Sequence, residues 1–361
     1  MAARKFLPGR RRLLAGGGLG ALLGPWLGRY AHAAGGYDAG AAGRLAEARS
    51  MGMTTVGAVD PAVNGFDPTA MLTDWNGGRL SRLDSGQPLR EYDIVAVDKE
   101  IEVAPGLRFA AWTYNGRVPG PTLRVTEGDR VRIRFRNAGS HPHTMHFHGI
   151  HSAAMDGVPG AGEAAPGETF VYEFDAFPFG CHLYHCHSVP LKRHIHKGLY
   201  GTFIVDPDPA RHPQHADIAR SRLLGTPENA GWQELMMLMN GFDTNFDGDN
   251  EVYAVNSIAH AYAKQPIPIT RDRPVRVYLV NVTEFDPVNS FHVHANFFDY
   301  YDHGTTLEPT LRTVDTISQI QAQRGILEFT FAEHEPGLYM FHAHQSEFVE
   351  LGWMGFFEVQ P

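Results

Sequence analysis

The same spacing of histidines occurs twice along the chain, and this repeat constrains the fold more than any other feature. In the first half, a His-x-x-His-x-His run precedes a His-Cys-His triplet; in the second half, an Asn-x-x-His-x-His run precedes a His-Ala-His triplet. The segments that follow the triplets, 197–201 and 351–355, also match. We therefore expect an internal duplication, with two copies of one structural unit.

Short runs of alternating apolar and polar residues begin near Glu91 and are separated by glycine, proline and asparagine turns. Many such runs at short intervals are typical of an all-β sandwich. The predicted strands are 94–97, 101–103, 107–113, 131–136, 170–174 and 199–205, then 234–239, 275–280, 327–331 and 354–359. We therefore predict two β-sandwich domains, over residues 90–207 and 231–361, joined by a proline-rich linker over 208–230.

The first 89 residues lack this strand pattern. Arginines at 10–12 precede an apolar, glycine-rich run over 13–27, and Ala31-His32-Ala33 offers a cleavage site, so we predict an export signal over 1–33. The paired arginines resemble a twin-arginine signal, which predicts a periplasmic or extracellular protein. A membrane anchor is the alternative, but a span needs about 20 apolar residues, and we expect no stable span after cleavage. Residues 34–89 are predicted to be an extended arm on another surface, such as that of a neighbouring subunit, with disorder as the alternative.

The composition excludes some classes of function. The formal net charge is −9 and no basic stripe is present, so we expect no nucleic-acid partner. Two cysteines, Cys181 and Cys186, do not make a disulfide framework. We expect Cys181 to be a small buried side chain; a disulfide between the two is the alternative. Twenty histidines is a high count, which metal binding would explain, because a buried imidazole needs a hydrogen-bond partner or a metal.

The triplet of His185, Cys186 and His187 is the centre of the first copy. Neighbouring side chains on a strand point to opposite faces, so Cys186 can bind one metal while the two histidines reach another site. His194 follows eight residues after Cys186, beyond a loop that lets the chain fold back. A thiolate with two imidazoles suits copper in a trigonal site with a weak axial ligand. Methionine is the usual axial residue, but the fifth residue after His194 is Leu199, which has no donor atom.

Eight histidines form four His-x-His pairs, and both copies keep their two pairs. The two rings of such a pair on a strand project to one face, and four converging pairs would supply enough imidazoles for three copper ions. The pairs are His146/His148, His185/His187, His292/His294 and His342/His344. The second copy lacks the thiolate site, because Asn289, Ala343 and Phe348 stand where the first copy has His143, Cys186 and His194.

On these motifs the chain resembles the two-domain multicopper oxidases, which are small laccase-like enzymes built from cupredoxin domains. The supporting phrases are VPGPTL at 118–123, HFHG at 146–149, MDGVPG at 155–160 and the two matching tails. The resemblance extends from about Glu91 to the C-terminal end and implies two cupredoxin-like Greek-key β-sandwiches. A type 1 copper in the first domain is an arrangement shared with copper nitrite reductases.

The resemblance implies four copper ions per chain. Type 1 copper takes electrons from a reductant and passes them through a Cys-His bridge to a trinuclear cluster, where dioxygen becomes water. The implied ligands are His143, Cys186 and His194 for type 1, His146 and His292 for type 2, and His148, His185, His187, His294, His342 and His344 for the type 3 pair. The missing axial donor at Leu199 should favour Cu(I) and raise the potential.

Two further expectations come from the same resemblance. Asp156 resembles the family carboxylate beside type 2 copper and is predicted to relay protons; a plain turn residue is the alternative, since Asp-Gly is a turn signal. In two-domain relatives the trinuclear site lies between domain 1 of one subunit and domain 2 of the next, which implies a homotrimer with a repeated heterologous interface.

Three functions compete on the sequence. The first is an exported oxidase that couples one-electron oxidation of a small reductant to four-electron reduction of O2; phenols, aromatic amines, Cu(I), Mn(II) and a small redox protein all remain open as reductants. The second is a copper nitrite reductase, which would need fewer histidines and no ligand at His187. The third is a non-enzymatic copper or electron-transfer protein, which would not need eight further histidines.

Overall fold

The described part of the computed structural model, residues 57–361, is built mainly from β-strands. The predicted export signal over 1–33, and residues 34–56 of the predicted arm, lie outside these described residues. The strands form two pairs of sheets, and each pair makes one β-sandwich. The predicted all-β class with two sandwiches is therefore confirmed.

Ten strands make the first sandwich, in two sheets. They are β1 Trp75–Asn76, β2 Arg79–Arg82, β3 Pro88–Ala104, β4 Leu107–Tyr114, β5 Thr122–Thr126, β6 Arg130–Asn137, β7 His146–Phe147, β8 Thr169–Asp175, β9 Gly180–His185 and β10 Tyr200–Asp206. Sheet I has the order β1-β5-β10-β9-β7, and sheet II has the order β2-β3-β6-β8, with β4 paired to β3. In β6, Val131, Ile133 and Phe135 are fully buried while the arginines between them face outward, as period-2 alternation requires.

Eleven strands make the second sandwich. They are β11 Gln233–Phe242, β12 Val252–Val255, β13 Ile267–Thr270, β14 Val275–Asn281, β15 Val288–Val293, β16 Phe298–Asp302, β17 Leu311–Val314, β18 Thr316–Ile320, β19 Arg324–Phe329, β20 Gly337–His342 and β21 Met354–Gln360. Sheet III has the order β12-β11-β14-β19-β16-β17, and sheet IV has the order β13-β21-β20-β15-β18.

Helices are short and connect strands. They are α1 Pro61–Asn64, α2 Pro68–Met71, α3 Leu191–His196, α4 Ala216–Arg222, α5 Pro227–Ala230, α6 Ala261–Lys264 and α7 Ser346–Glu350. Two of them, α3 and α7, occupy equivalent places, each between the His-x-His triplet and the last strand of its sandwich. The predicted linker contains α4 and α5.

Residues 57–89 differ from the predicted extended arm. Asp60 and Asp67 are the N-cap residues of α1 and α2, and their carboxylates accept hydrogen bonds from backbone N–H groups of the first turn. Strand β1 then pairs with β5 and β2 pairs with β3, so this segment adds strands to both sheets of its own domain. The backbone carbonyl of Leu72 also accepts a hydrogen bond from Met236 N, which ties the segment to the second sandwich.

The two sandwiches meet through a buried apolar face. Leu183 and Ile204 of sheet I belong to the same buried cluster as Met236, Tyr278 and Ile326 of sheet III. Apolar area removed from water at this contact stabilises the pair of domains.

A buried ion network crosses the same contact. Arg124 of β5 pairs with Asp206 at 2.9 Å and with Glu234 of β11 at 2.7 Å. Arg276 of β14 pairs with Glu234 at 2.9 Å and with Glu328 at 2.7 Å. Removing one partner would leave an uncompensated buried charge, so the network favours a single relative orientation of the two sandwiches.

Candidate metal centre

Three buried side chains converge at one end of the first sandwich. Strand β9 ends at His185, so Cys186 lies just beyond the strand, with its side chain in the core. His194 comes from α3, and His143 lies before β7. The Nδ1 atoms of His143 and His194 are 3.2 Å apart, and Cys186 Sγ lies 3.2 Å from His194 Nδ1 and 3.9 Å from His143 Nδ1.

These donor atoms fit a trigonal metal site. Two nitrogens and one sulfur at ordinary metal distances, spread at equal angles in a plane, are about 3.5–3.8 Å apart. Burial, together with neighbouring imidazoles, lowers the pKa of His143 to about 3; burial likewise lowers the pKa of His194 to about 4. Both rings are therefore neutral at pH 7, the form that binds metals. The two Nδ1 atoms and the sulfur face one another, an arrangement that a cation would stabilise.

The thiol of Cys186 is held by two donors from Thr144. The backbone N–H of Thr144 lies 3.3 Å from Sγ and its hydroxyl oxygen lies 3.7 Å away. Burial raises the pKa of the Cys186 thiol, and these contacts lower it in part. A bound metal would supply the remaining stabilisation of the thiolate. Leu199 is fully buried in the same apolar cluster as Cys186, and no further His, Cys, Asp or Glu of residues 57–361 joins this donor group.

Four histidines of the first sandwich line a cavity of about 300 Å³. The Nε2 atoms of His148 and His185 are 3.3 Å apart, and the ring of His146 lies 5.2–5.4 Å from those of His148, His185 and His187. The Nδ1 atom of His146 is hydrogen-bonded to the backbone carbonyl of Asp156 at 2.6 Å, and that of His185 to the carbonyl of Cys186 at 2.9 Å. These bonds leave the Nε2 atoms to bind a metal.

The second sandwich repeats this arrangement at its surface. The Nε2 atoms of His294 and His342 are 2.9 Å apart, and the ring of His292 lies 5.0–5.4 Å from those of His294, His342 and His344. The Nδ1 atom of His292 is hydrogen-bonded to the carbonyl of Asp315 at 2.9 Å. His294 and His344 are exposed to solvent.

The two histidine sets do not meet within one chain. Among residues 57–361, no converging group of donors combines the first set with the second. On the side of the second sandwich, Val282, Gln321 and Ala322 close the cavity of the first set. The structure thus brings the four histidines of each half together and leaves the two sets of four apart.

Comparison with known proteins decides the family. Sequence models described as multicopper oxidase match residues 96–210 and 211–361. This chain belongs to the multicopper oxidase family. The family is one of copper-binding oxidoreductases.

A solved multicopper oxidase is 53% identical to this family member, with a TM-score of 0.76, over 84% of this chain and all of that one. The blue copper oxidase of Nitrosomonas europaea is 26% identical, with a TM-score of 0.61, over 75% of this chain and 86% of that one. These neighbours confirm the cupredoxin fold.

Curated relatives match shorter segments. The copper-containing nitrite reductase of Neisseria meningitidis is 37% identical over 113 residues, 31% of this chain and 29% of the relative. A copper resistance protein A homolog of Pseudomonas syringae is 36% identical over 162 residues, 42% of this chain and 26% of the relative. This multicopper oxidase therefore spans less than a third of the length of these two relatives. In its described residues, no helix has the length and apolar character needed to cross a membrane.

In the second copy of this multicopper oxidase, apolar packing fills the place of the thiolate site. Phe348 stacks on Tyr253 with ring centroids 3.8 Å apart, and Ala343 is buried. The Asn289 side-chain oxygen accepts a hydrogen bond from Trp353 Nε1 at 2.9 Å. The backbone is conserved between the copies: Leu199 N donates to His194 O at 3.3 Å, and Trp353 N donates to Phe348 O at 2.7 Å.

Asp156 lies beside the first histidine set. One of its carboxylate oxygens is 3.3 Å from His146 Nδ1, and its side chain is 40% exposed. Sequence reasoning missed the matching residue of the second copy, Asp315, whose carboxylate lies 3.9 Å from His292 Nδ1. The two aspartates follow their histidines at spacings of 10 and 23 residues, so no common spacing indicated the second one.

Sequence reasoning also missed Arg324 of β19. This arginine crosses from the second sandwich to the first, where its guanidinium lies 3.3 Å from His148 Nδ1 and 3.1 Å from the carbonyl of Cys181. Among the described residues, Arg324 is the side chain that contacts His148 Nδ1, whereas His148 Nε2 faces His185. Arg324 therefore sets the orientation of one histidine of the first set.

Proposed function

We propose that this protein is a laccase-like oxidase that couples one-electron oxidation of a small phenolic, amine or metal-ion reductant to four-electron reduction of O2 to water. The observation that carries the proposal is the placement of Cys186 between His185 and His187. Its sulfur joins a buried Cys-His₂ group, while the flanking imidazoles face a separate cavity. Copper, when bound, would supply the one-electron redox chemistry and the binding of O2.

We assign the copper ligands as the family pattern implies. His143, Cys186 and His194 would hold type 1 copper. His146 and His292 would hold type 2 copper. The type 3 pair would take His148, His185, His187, His294, His342 and His344. Peptide bonds join Cys186 to both of its neighbouring histidines, which gives the shortest covalent route between the two kinds of site.

Burial around the Cys-His₂ group keeps water away from it. His143, Cys186 and His194 are each at most 2% exposed. Trp112 packs against both imidazoles, with ring centroids 5.2 Å from His143 and 4.8 Å from His194. The apolar Leu199, in place of a sulfur donor, would favour the reduced metal and raise the potential.

Asp156 is suited to deliver protons. Reduction of O2 to water consumes four protons, and these must come from solvent. The carboxylate of Asp156 is partly exposed on one side and lies 3.3 Å from His146 Nδ1 on the other. It would take a proton from water and release it into the cavity of the first set, which is general acid catalysis.

Assembly would complete the histidine cluster. Since the two sets do not meet within one chain, we propose a homotrimer in which the first set of one subunit faces the second set of the next. Exposed apolar side chains near each set support such a contact: Ile150 and Val189 are 68% and 76% exposed near the first set, and Phe297 is 55% exposed near the second. We further propose export to the periplasm or beyond.

Nitrite reduction is the second candidate, favoured by the 37% identity to a nitrite reductase over 113 residues. Oxygen uptake with a phenol, measured with and without nitrite, separates the two. The proposal predicts uptake of one O2 per four electrons and no nitric oxide. Nitric oxide release from nitrite under argon, with no oxygen uptake in air, would establish the reductase instead.

A further inference from the structure

A groove of about 470 Å³ lies beside the helix that carries His194. Helix α3 of the first sandwich forms one wall, and two loops of the second sandwich, around residues 243–248 and at Phe285, form the other. The lining residues are Pro190, Lys192, Arg193, His196, Asp243, Phe246, Asp247, Gly248 and Phe285. The groove is therefore adjacent to the proposed type 1 site but contains none of its ligands.

Aromatic side chains form the apolar part of this groove. The His196 ring packs edge-on against Phe246 at 5.9 Å and against Phe285 at 5.0 Å. The backbone φ angles of Phe246 and Phe285 are +65° and +69°, in the left-handed region that non-glycine residues rarely adopt. Residues held in such conformations cluster at binding and active sites. Both phenylalanines therefore reach the groove from strained backbone positions.

Cations form the polar part. Lys192 and Arg193 line the groove, and neither has a carboxylate within 4.0 Å among the residues from 57 onwards. Lys192 Nζ lies 4.1 Å from the centroid of the Phe285 ring, and Lys197 Nζ lies 4.5 Å from that of Phe246. Lys197 is buried and donates to the Ala110 carbonyl, whereas Lys192 and Arg193 are exposed. The charges of Lys192 and Arg193 are therefore available to a ligand, although the chain as a whole is acidic.

The two carboxylates of the groove differ in exposure. Asp243 is only 1% exposed and accepts hydrogen bonds from the backbone N–H groups of Asp247 and Gly248. Asp247 accepts one from Asp249 N at 3.0 Å. These contacts hold the buried Asp243 carboxylate inside the loop, whereas the Asp247 carboxylate stays exposed at the groove. The two exposed cations, Lys192 and Arg193, therefore outnumber the one exposed carboxylate.

We propose that this groove binds an aromatic reductant that carries a negative charge, such as a phenol with a carboxylate substituent. The ring would lie against Phe246 and Phe285, and the carboxylate would pair with Lys192 and Arg193. This inference rests on the proposed oxidase function for the electron transfer itself. Each phenol gives up one electron and its phenolic proton, and four such oxidations supply the four electrons and four protons that convert one O2 into two waters.

Syringate and its neutral amide, syringamide, test the charge requirement, because they share one ring. Binding to the copper-loaded protein is measured by titration calorimetry, and KM by oxygen uptake. In the variant Lys192→Gln/Arg193→Gln we expect Kd and KM for syringate to rise about tenfold or more, as for loss of a charge-assisted contact. The values for syringamide should change less than twofold. The matched control, Arg79→Gln/Arg271→Gln, removes two charges outside the groove and should leave both ligands unaffected.

A second variant, Phe285→Leu, tests the aromatic wall and should weaken syringate and syringamide alike. Unchanged syringate binding in the Lys192→Gln/Arg193→Gln variant would overturn the proposal, as would equal weakening of the amide in that variant. Tight syringate binding that depends on the two cations, without oxygen uptake, would support the groove and refute the oxidase function. If the protein takes up oxygen with syringate and the Lys192→Gln/Arg193→Gln variant does so just as the wild type does, the oxidase function would be supported and the groove proposal refuted.

Discussion

The two copies of the cupredoxin unit share a backbone but differ in what occupies one end of the sandwich. In the first copy, Cys186, His143 and His194 bring three donor atoms within 3.9 Å of one another. In the second copy, Ala343 and Phe348 fill the same place with apolar contacts. The comparison teaches that this backbone does not require a metal at that end, since side chains decide between a metal site and an ordinary core.

The copies agree in the other metal-binding feature. Each keeps four histidines whose rings face one another, but the first set lines a cavity while the second lies at the surface. Each set alone therefore supplies four of the eight histidines of the proposed cluster. In the proposed trimer, the buried first set would receive a partner and the exposed second set would project into one.

The largest effect is expected when the first copy is made to resemble the second. Cys186→Ala removes the sulfur and leaves the alanine that the second copy carries. We expect complete loss of the blue absorption and of oxygen uptake, because no thiolate remains to bind type 1 copper. The histidine pairs should keep their copper, measured by metal analysis and EPR. A blue protein after this substitution would contradict the assigned ligand.

The converse change tests whether the second copy is only core at this place. Phe348→Ala opens a cavity against Tyr253, so we expect the free energy of unfolding to fall by about 3–5 kcal/mol. The visible spectrum of the type 1 site should be unchanged. Leu224→Ala, at a surface position, is the control and should change stability by less than about 0.5 kcal/mol. If the Phe348 variant changed the visible spectrum without losing stability, Phe348 would act on the Cys186 site of the first sandwich and would not be an ordinary core residue of the second.

The two aspartates sharpen the comparison further. Asp156→Asn keeps the shape but removes the acid, and we expect kcat to fall by roughly 10²–10⁴ with copper content unchanged. Asp315→Asn should have a smaller effect, because its carboxylate is 3.9 Å from the histidine nitrogen rather than 3.3 Å. The solvent isotope effect on kcat reports whether proton delivery has become limiting. Equal activity of wild type and the Asp156 variant would remove Asp156 from the mechanism.

The smallest of these effects is expected at Arg324, which contacts His148 and no other histidine of the first set. Arg324→Gln removes a guanidinium that donates toward Nδ1. A neutral ring that accepts at Nδ1 carries its proton on Nε2, so this contact opposes metal binding by Nε2. We therefore expect the copper affinity of the histidine cluster to rise, by about tenfold at most, measured by chelator competition. The blue spectrum should be retained, because the type 1 ligands do not contact this arginine. Unaltered affinity would mean that packing alone orients His148.

The sequence predicted local features well, because local features depend on neighbouring residues. The alternation of apolar and polar residues in β6 predicted which face of that strand is buried. The repeated histidine spacing indicated both histidine sets, and Ala343 in place of the cysteine indicated that the second copy lacks the thiolate site. The triplet was expected on a strand, whereas β9 ends at His185, since Cys186 turns into the core as the chain leaves the sheet.

Contacts between distant segments were not predictable. Arg324 reaches His148 across 176 positions of sequence, and no local pattern encodes such a distance. Residues 57–89 show weak periodicity because their strands are only two and four residues long, yet they pair with both sheets. The groove at α3 likewise combines segments that are far apart in the chain.

The central claim is that histidines from both halves bind one copper cluster across a subunit contact. Two variants test it: His146→Ala/His148→Ala removes part of the first set, and His292→Ala/His294→Ala removes part of the second. Each alone should bind type 1 copper, remain blue and show no oxygen uptake. Co-expressed with different tags and purified through both, the mixed oligomer should regain oxygen uptake, because an intact first set then faces an intact second set. A mixed oligomer that is blue but takes up no oxygen would contradict the account.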